Sequence, residues 1–263
     1  MSKAISKGAD VSELDPRLFV QSVEKAFRVL EAFAAEHRPL SLAEIAKATG
    51  MDRSGAQRLC YTLRKLGYLD LDEQVRGHVP GLRLLDRSYD FLRMHPLAQR
   101  ATTPLMELRR VTQERVDLSL PDDLTIIYAV RLQSKRESFI ATLVGRRLPT
   151  FCSSGGRAML AQLDDRRIED VLARSDRRPL TPKTITDLPS LRRKIAEARA
   201  AGYALTLEER LLGEIALAAA IVDRAGAPIG AVHVAGSLAE WEPEAFCKRM
   251  APLAIETAKS LSG

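Results

Sequence analysis

Ser41-Leu42-Ala43-Glu44-Ile45-Ala46-Lys47-Ala48-Thr49-Gly50 runs directly into Met51-Asp52-Arg53-Ser54-Gly55-Ala56-Gln57-Arg58-Leu59-Cys60-Tyr61-Thr62-Leu63-Arg64-Lys65-Leu66-Gly67. Ser41 and Glu44 have the S-x-x-E spacing of a capping box, in which a hydroxyl and a carboxylate each satisfy an orphan backbone donor, so a helix starts there and ends at Gly50. Its apolar side is Leu42, Ile45, Ala46 and Ala48. Asp52 is the N-cap of a second helix, in which Ala56, Leu59, Cys60, Leu63 and Leu66 form one stripe of a 3.6-residue repeat. Tyr68 to Leu71 and Val75 to Val79 alternate around Asp72-Glu73-Gln74, which predicts a two-stranded hairpin. Two helices at a sharp turn followed by a hairpin outline a winged helix-turn-helix.

The polar face of the second helix carries Arg53, Ser54, Gln57, Arg58, Tyr61, Thr62 and Lys65, and no glutamate. Arg can fork onto guanine and Gln onto adenine, while hydroxyls reach phosphates or base edges, so this face suits a DNA major groove. A solvated surface helix of similar composition is the plain alternative. Ser41 sits at the mouth of the motif, and Arg76 and His78 lie on the hairpin within reach of backbone or minor groove; a solvent-facing imidazole is an equal reading of His78.

Working outward, Val23, Ala26, Phe27, Leu30, Phe33 and Ala34 mark a helix from Ser22 to before Arg38-Pro39, a third member of the same core. Residues 1–18 read as a mobile tail, 19–80 as the DNA-binding domain, and 81–95, with Leu82, Leu85, Tyr89 and Leu92, as a linker helix ending at His95-Pro96. Beyond it, residues 96–263 turn mixed: a helix over Leu97 to Thr112, strands at Arg115 to Leu120, Leu124 to Leu132 and Phe139 to Leu143, then helices from Gly156 and over Asp165 to Ala173. A loop follows from Ser175 to Pro189, a helix over Ser190 to Ala201, strands at Ile215 to Val222 and Ile229 to Ala235, and a closing helix from Pro243 to Leu261. The fold class expected is α+β.

Composition fits this division. The 263 residues, 46% of them hydrophobic, can fill two cores. The net charge is +6, and residues 17–100 hold 14 Lys or Arg against 10 Asp or Glu, a surplus that favours phosphate contacts. No run of eighteen apolar residues occurs and Met1 to Asp15 has no apolar signal-like region, so no membrane span or secretory signal is expected and the cytoplasm is the expected location. Cys60, Cys152 and Cys247 are odd in number and lack metal-ligand spacing, which argues against structural zinc; no cofactor is called for.

Leu40-Ser41-Leu42-Ala43-Glu44-Ile45-Ala46, Met51-Asp52-Arg53-Ser54, Arg58-Leu59 and Leu66-Gly67-Tyr68-Leu69 together resemble the DNA-binding half of the IclR family of bacterial transcriptional regulators. The resemblance departs at Gly55 and Gln57, positions that bear on the operator sequence. It continues almost to the C-terminus through Gly145-Arg146-Arg147-Leu148-Pro149, Gly156-Arg157-Ala158-Met159-Leu160-Ala161, Gly202-Tyr203, Glu208-Glu209 and Gly213, which are similar to the family's GAF-like effector-binding domain. Phe19-Val20-Gln21-Ser22 and Thr181-Pro182-Lys183-Thr184-Ile185-Thr186-Asp187 look closest to regulators of aromatic-acid catabolism.

Ser153-Ser154-Gly155-Gly156 precedes an apolar-periodic helix, so its free N–H groups suit an anion; a simply Ser-capped helix is the alternative. The resemblance implies an effector pocket with Ser154, Gly155 and Gly156 at that helix start, Thr206, Glu214 and Ala216 along a strand region, and His233 and Ala235 on the last strand. Glu214 has two other readings, a pair with Arg210 or a solvent-facing group, and His233 has the reading of a core histidine. A hydrolase would need a base and an orienting acid, for which no signature exists, so no enzyme is expected; a DNA-binding protein without a ligand is the nearer rival. The resemblance further implies a double-stranded DNA operator, a small carboxylate effector, aromatic in the branch named above, and a homodimer or a homotetramer built as a dimer of dimers. It implies transmission through the Leu82 to Met94 helix, with either sign of transcriptional control.

Overall fold

Ser41 caps α2 (Leu42–Thr49) as the spacing requires: its Oγ accepts from Glu44 N at 3.3 Å, and Glu44 Oε2 accepts from Ser41 N at 2.9 Å. Hydrogen bonds from Arg38 and then from Ser41 hold the Glu44 carboxyl at a pKa of about 2. Gly50 ends the helix at φ 67°, a left-handed conformation that glycine adopts without a Cβ penalty. This computed structural model describes residues 15–34, 36–134 and 143–263. The chain divides at Met94/His95 into two compact units. Of the expected tail, residues 1–14 lie outside the described residues, as do residues 139–142 of the expected third strand.

In the N-terminal unit, α1 (Gln21–Glu31), α2 and α3 (Arg53–Lys65) enclose Val29, Leu40, Ile45, Cys60, Leu63 and Leu69. Four expected packing positions differ. Val23 and Phe27 are exposed, because α1 turns Val29 and, in part, Leu30 inward. Leu66 falls just past the last turn of α3 and is half-exposed, and in α2 Thr49, whose Oγ1 bonds back to Ile45 O at 2.7 Å, is buried where Ala48 faces solvent. The wing is β1 (Leu69–Asp72) against β2 (Gly77–Pro80), its tip turned by Asp72 Oδ1 accepting from Gln74 N and Val75 N. Helix α4 (Arg83–Met94) completes the unit.

The C-terminal unit is a six-stranded antiparallel sheet in the order β5-β4-β3-β8-β7-β6. Its strands are β3 (Arg115–Asp122), β4 (Thr125–Leu132), β5 (Arg147–Pro149), β6 (Ala204–Leu207), β7 (Glu214–Val222) and β8 (Pro228–Ser237). Helix α5 (Pro96–Thr112) and the closing helix α9 (Pro243–Ser260) pack on one face; α6 (Ser154–Leu160) lies on the other, beside α7 (Asp165–Arg174) and α8 (Leu188–Ala201). β5 and β6 are too short for their alternation to mark them in the sequence. Pro121 and Asp122 belong to β3 rather than to a turn, which is made by Asp123 at φ 48°, and Pro189 lies in the first turn of α8, where a missing N–H costs nothing.

Candidate functional site

On α3 the stripe Ala56, Cys60 and Leu63 is buried, and this turns Arg53, Ser54, Gln57, Arg58, Tyr61, Thr62 and Lys65 outward together. All seven are exposed. Thr62 Oγ1 donates to Arg58 O at 2.9 Å, so that hydroxyl is engaged within its own helix. Ser41 is exposed but committed to its cap. Arg76 stands exposed at the wing tip at φ 50°. His78 differs: its backbone exchanges hydrogen bonds with Leu40, its ring is half-buried, and Nδ1 is buried with no hydrogen-bond partner. Burial lowers its pKa, so the ring stays neutral at pH 7 and offers no charge to a phosphate.

In the C-terminal unit the strand register assembles the sequence-predicted residues into rows. Thr206, Ala216, Ala235 and Arg115 stand side by side across four strands, and Ala204, Ala218, His233, Asp117 and Arg131 form the next row. The alanines leave room for α6 to lie close to the sheet. His233 is 1% exposed; Nε2 shares a hydrogen bond with Ser119 Oγ at 2.7 Å and Nδ1 one with Ser154 Oγ at 3.3 Å. Tyr128 tilts against the ring, 5.2 Å between centroids. Ser119 escaped the sequence reading because only the β3–β8 register brings it to His233.

The glycines play a different part from the one expected. A Cβ on Gly155 would overlap the His233 ring, and one on Gly156 would overlap the Thr150 backbone, so the close packing of the chain against itself requires glycine at both positions. Gly156 N is already bonded to Ser153 Oγ at 3.2 Å, and every residue of the seven-residue α6 is buried. Gly155→Leu should therefore disturb folding, because its side chain would meet His233 and Ser119. The Ser119–His233 contact has the distance of a nucleophile–base pair, but it is sealed from solvent and its second ring nitrogen meets a hydroxyl where an orienting carboxylate would stand.

Burial, outweighing the nearby Asp117, depresses the His233 pKa to about 4. The unfolded chain titrates near ~6.5, so between that pH and about 4 it takes up a proton that the native state refuses. Stability contributed by the neutral ring is complete above the unfolded pKa and is lost as pH falls through this window, to a total of ~3 kcal/mol. Urea denaturation at pH 7 and pH 4.5 should show a steeper loss for wild type than for His233→Gln; parallel losses would exclude this account.

Next to this cluster lies an ionic network. Asp117 Oδ1 accepts from Arg131 Nε at 3.0 Å and its Oδ2 from Arg115 Nε at 3.1 Å; Arg115 Nη2 reaches Glu214 Oε2 at 2.8 Å, and Arg210 Nε donates to Glu214 Oε1 at 2.9 Å. Burial opposes ionisation of Glu214, and Arg115 and Arg210 prevail, so its pKa is lowered. Of the readings open for Glu214, pairing with Arg210 is the one observed. Glu214 and Ala235, with Arg115, Arg146 and Arg210, line a cleft of about 580 Å³. Thr206 Oγ1 donates to Ala216 O at 3.2 Å.

Residues 22–73 match the IclR helix-turn-helix domain, and residues 90–263 match the C-terminal domain of the bacterial transcriptional regulator IclR. The chain is 28% identical over 244 residues to the Pca regulon regulatory protein of Pseudomonas putida, covering 92% of this chain and 83% of that one. It is 28% identical over 248 residues to the p-hydroxybenzoate hydroxylase transcriptional activator of Acinetobacter baylyi, covering 92% and 91%. A crystal structure of a transcriptional regulator from Rhodococcus sp. RHA1 superposes with a TM-score of 0.80 at 28% identity, covering 92% of this chain and 97% of that one. With an exposed polar face on α3 in one unit, a helix-flanked antiparallel sheet in the other and both family domains matched in that order, the chain belongs to the IclR family of bacterial transcriptional regulators.

Proposed function

We propose that this regulator works in the cytoplasm as a homodimer that reads a two-half-site operator through α3, with residues 19–80 as its reading head, and that a small carboxylic acid bound by residues 96–263 adjusts operator affinity. The observation that carries the DNA half is the single exposed face of α3, with Arg53, Gln57, Arg58 and Lys65 and no acidic residue between them. One such helix spans only a few base pairs, so genome-wide selectivity needs two. Leu18, Phe19, Val20, Val23 and Phe27 are all exposed at the start of the N-terminal unit, a set suited to cover by a second copy, and Leu82, just before α4, and Leu85, Tyr89 and Met94 on it are exposed. α4 is the element through which the acid changes the spacing of the heads, and by linkage only to the extent that the acid prefers one spacing.

That one relative is the p-hydroxybenzoate hydroxylase transcriptional activator supports an aromatic carboxylic acid as the effector. The DNA half is tested by selecting an operator with the wild-type protein and comparing Arg58→Ala in gel shifts at fixed salt. The variant should bind roughly 5- to 150-fold more weakly, the equivalent of about 1–3 kcal/mol for one lost base contact, with unchanged circular dichroism. Wild-type affinity in Arg58→Ala would remove α3 as the reading element.

A further inference from the structure

The start of α4 is pressed against the end of α3. Gly81 N donates to Tyr68 O at 2.9 Å and Arg83 N to Gly67 O at 3.3 Å, and a Cβ on Gly81 would overlap Gly67 O. Gly67 turns at φ 79° and has no side chain of its own, so Arg83 lies across it: a Cβ there would meet Arg83 Cγ at 3.2 Å. Arg64 and Lys65 close α3 just before this turn. Arg64 follows Tyr61 by three residues and Gln57 by seven, in one helical row with them. Its charge also reaches His78 on β2, whose pKa is lowered by burial first and by Arg64 besides. Three cations from two helices therefore meet at the C-terminal end of α3.

Other exposed arginines of the N-terminal unit take acids: Arg28 bonds to Glu24, Arg38 to Glu44 and Arg87 to Asp90. Arg64, Lys65 and Arg83 are exposed and make no side-chain hydrogen bond or ion pair among the described residues. Asp86 follows Arg83 at the same three-residue spacing at which Arg87 and Asp90 pair, yet it stays unpaired. Asp70 on β1 turns its Oδ1 to Leu71 N at 2.8 Å, and Asp72 and Glu73 belong to the wing tip. The end of a helix carries a negative charge of only about half a unit, which one cation answers and three exceed. Arg83, as the first residue of α4, also stands at that helix's positive end, the less favourable place for a cation.

We propose that Arg83, with Arg64 and Lys65, holds the phosphate backbone of the operator at the C-terminal end of α3, so that the first residue of α4 is itself a DNA contact. This rests on the reading of α3 as the operator-binding helix. Guanidinium groups match phosphate oxygens with two parallel hydrogen bonds, and free, exposed ones keep all their donors for that purpose. The backbone is the partner, and not the base edges, because the end of a helix lying in the major groove meets the groove wall. Gly67 and Gly81 have a part in this: their close approach is what sets the α4 arginine beside the two cations of α3.

The test measures binding of the full-length protein to an operator duplex selected with wild type and to a scrambled duplex of the same length, by fluorescence anisotropy over a series of salt concentrations. Arg83→Gln and Arg64→Gln should each weaken both duplexes by the same factor, roughly three- to tenfold at moderate salt, and lower the slope of log affinity against log salt by about 1. Arg83→Lys keeps the charge and should keep the wild-type slope. Melting temperatures should match wild type throughout, because removing an exposed, unpaired cation strands no partner. A wild-type slope in Arg83→Gln, a loss confined to the operator duplex, or an equal loss of slope in Arg83→Lys would each overturn the proposal. Arg58→Ala, measured alongside, separates the two readings. Wild-type operator binding in Arg58→Ala with a lowered slope in Arg83→Gln removes α3 as the reader and leaves the phosphate contact. Weakened operator binding in Arg58→Ala with a wild-type slope in Arg83→Gln leaves the reader and removes the contact.

Discussion

Glu209→Ala is expected to destabilise the C-terminal unit by about 3–5 kcal/mol, because it strands a buried cation, Arg157 of α6. Arg157 is 0% exposed; its Nη1 and Nη2 grip the Glu209 carboxylate at 2.5 and 2.6 Å, and its Nε donates to Phe151 O at 2.7 Å. Glu209 Oε2 also accepts from Ile185 N at 3.0 Å, so one carboxylate ties α6 to the segment between α7 and α8. Without it, a guanidinium is left in a site that water does not reach. Chemical denaturation followed on the C-terminal unit should show the midpoint falling with an unchanged slope. The double variant Arg157→Met/Glu209→Leu should recover much of the loss, since two apolar side chains in place of a buried ion pair need no partner. A loss below about 1 kcal/mol in Glu209→Ala would mean that the pair is far better solvated than its burial implies.

Ile45→Ala is expected to cost about 2–5 kcal/mol, and to do so in the N-terminal unit alone. Ile45 is 0% exposed, in a cluster of six buried hydrophobic residues among those described, so the cavity it leaves is a large part of that core. A unit this small has little stability to spare. Operator binding should therefore disappear at temperatures where acid binding by the C-terminal unit persists, and calorimetric scans should separate into two transitions. A single transition lowered as a whole would show that the units unfold together. Leu59, which from its place in the stripe invites the same experiment, is only half-buried and should respond more weakly.

Each of these effects joins a feature that was legible in the sequence to one that was not. The capping box, the Gly50 turn, the α3 stripe and the closing helix were legible because caps, left-handed glycines and 3.6-residue periods act over a few neighbouring residues. Gly156-Arg157 and Glu208-Glu209 were legible as family motifs, yet nothing local says that Arg157 and Glu209, 52 residues apart, bond to each other. The same holds for Ser119 and His233, 114 residues apart.

The sequence by itself determined two units, a helix-turn-helix whose second helix has an intact polar face and, later in the chain, a helix-flanked sheet, since each of these depends on short-range pattern. Only the tertiary structure decided that His78 is held between strands, that Gly155 and Gly156 are occupied by the chain's own packing, that Val23 and Phe27 are left outside the core, and that Glu214 is shared by Arg115 and Arg210. The physical reason is strand register: which residues meet across a sheet is set by pairing between distant segments, and a one-residue slip would put Arg115, Asp117 and His233 on the opposite face.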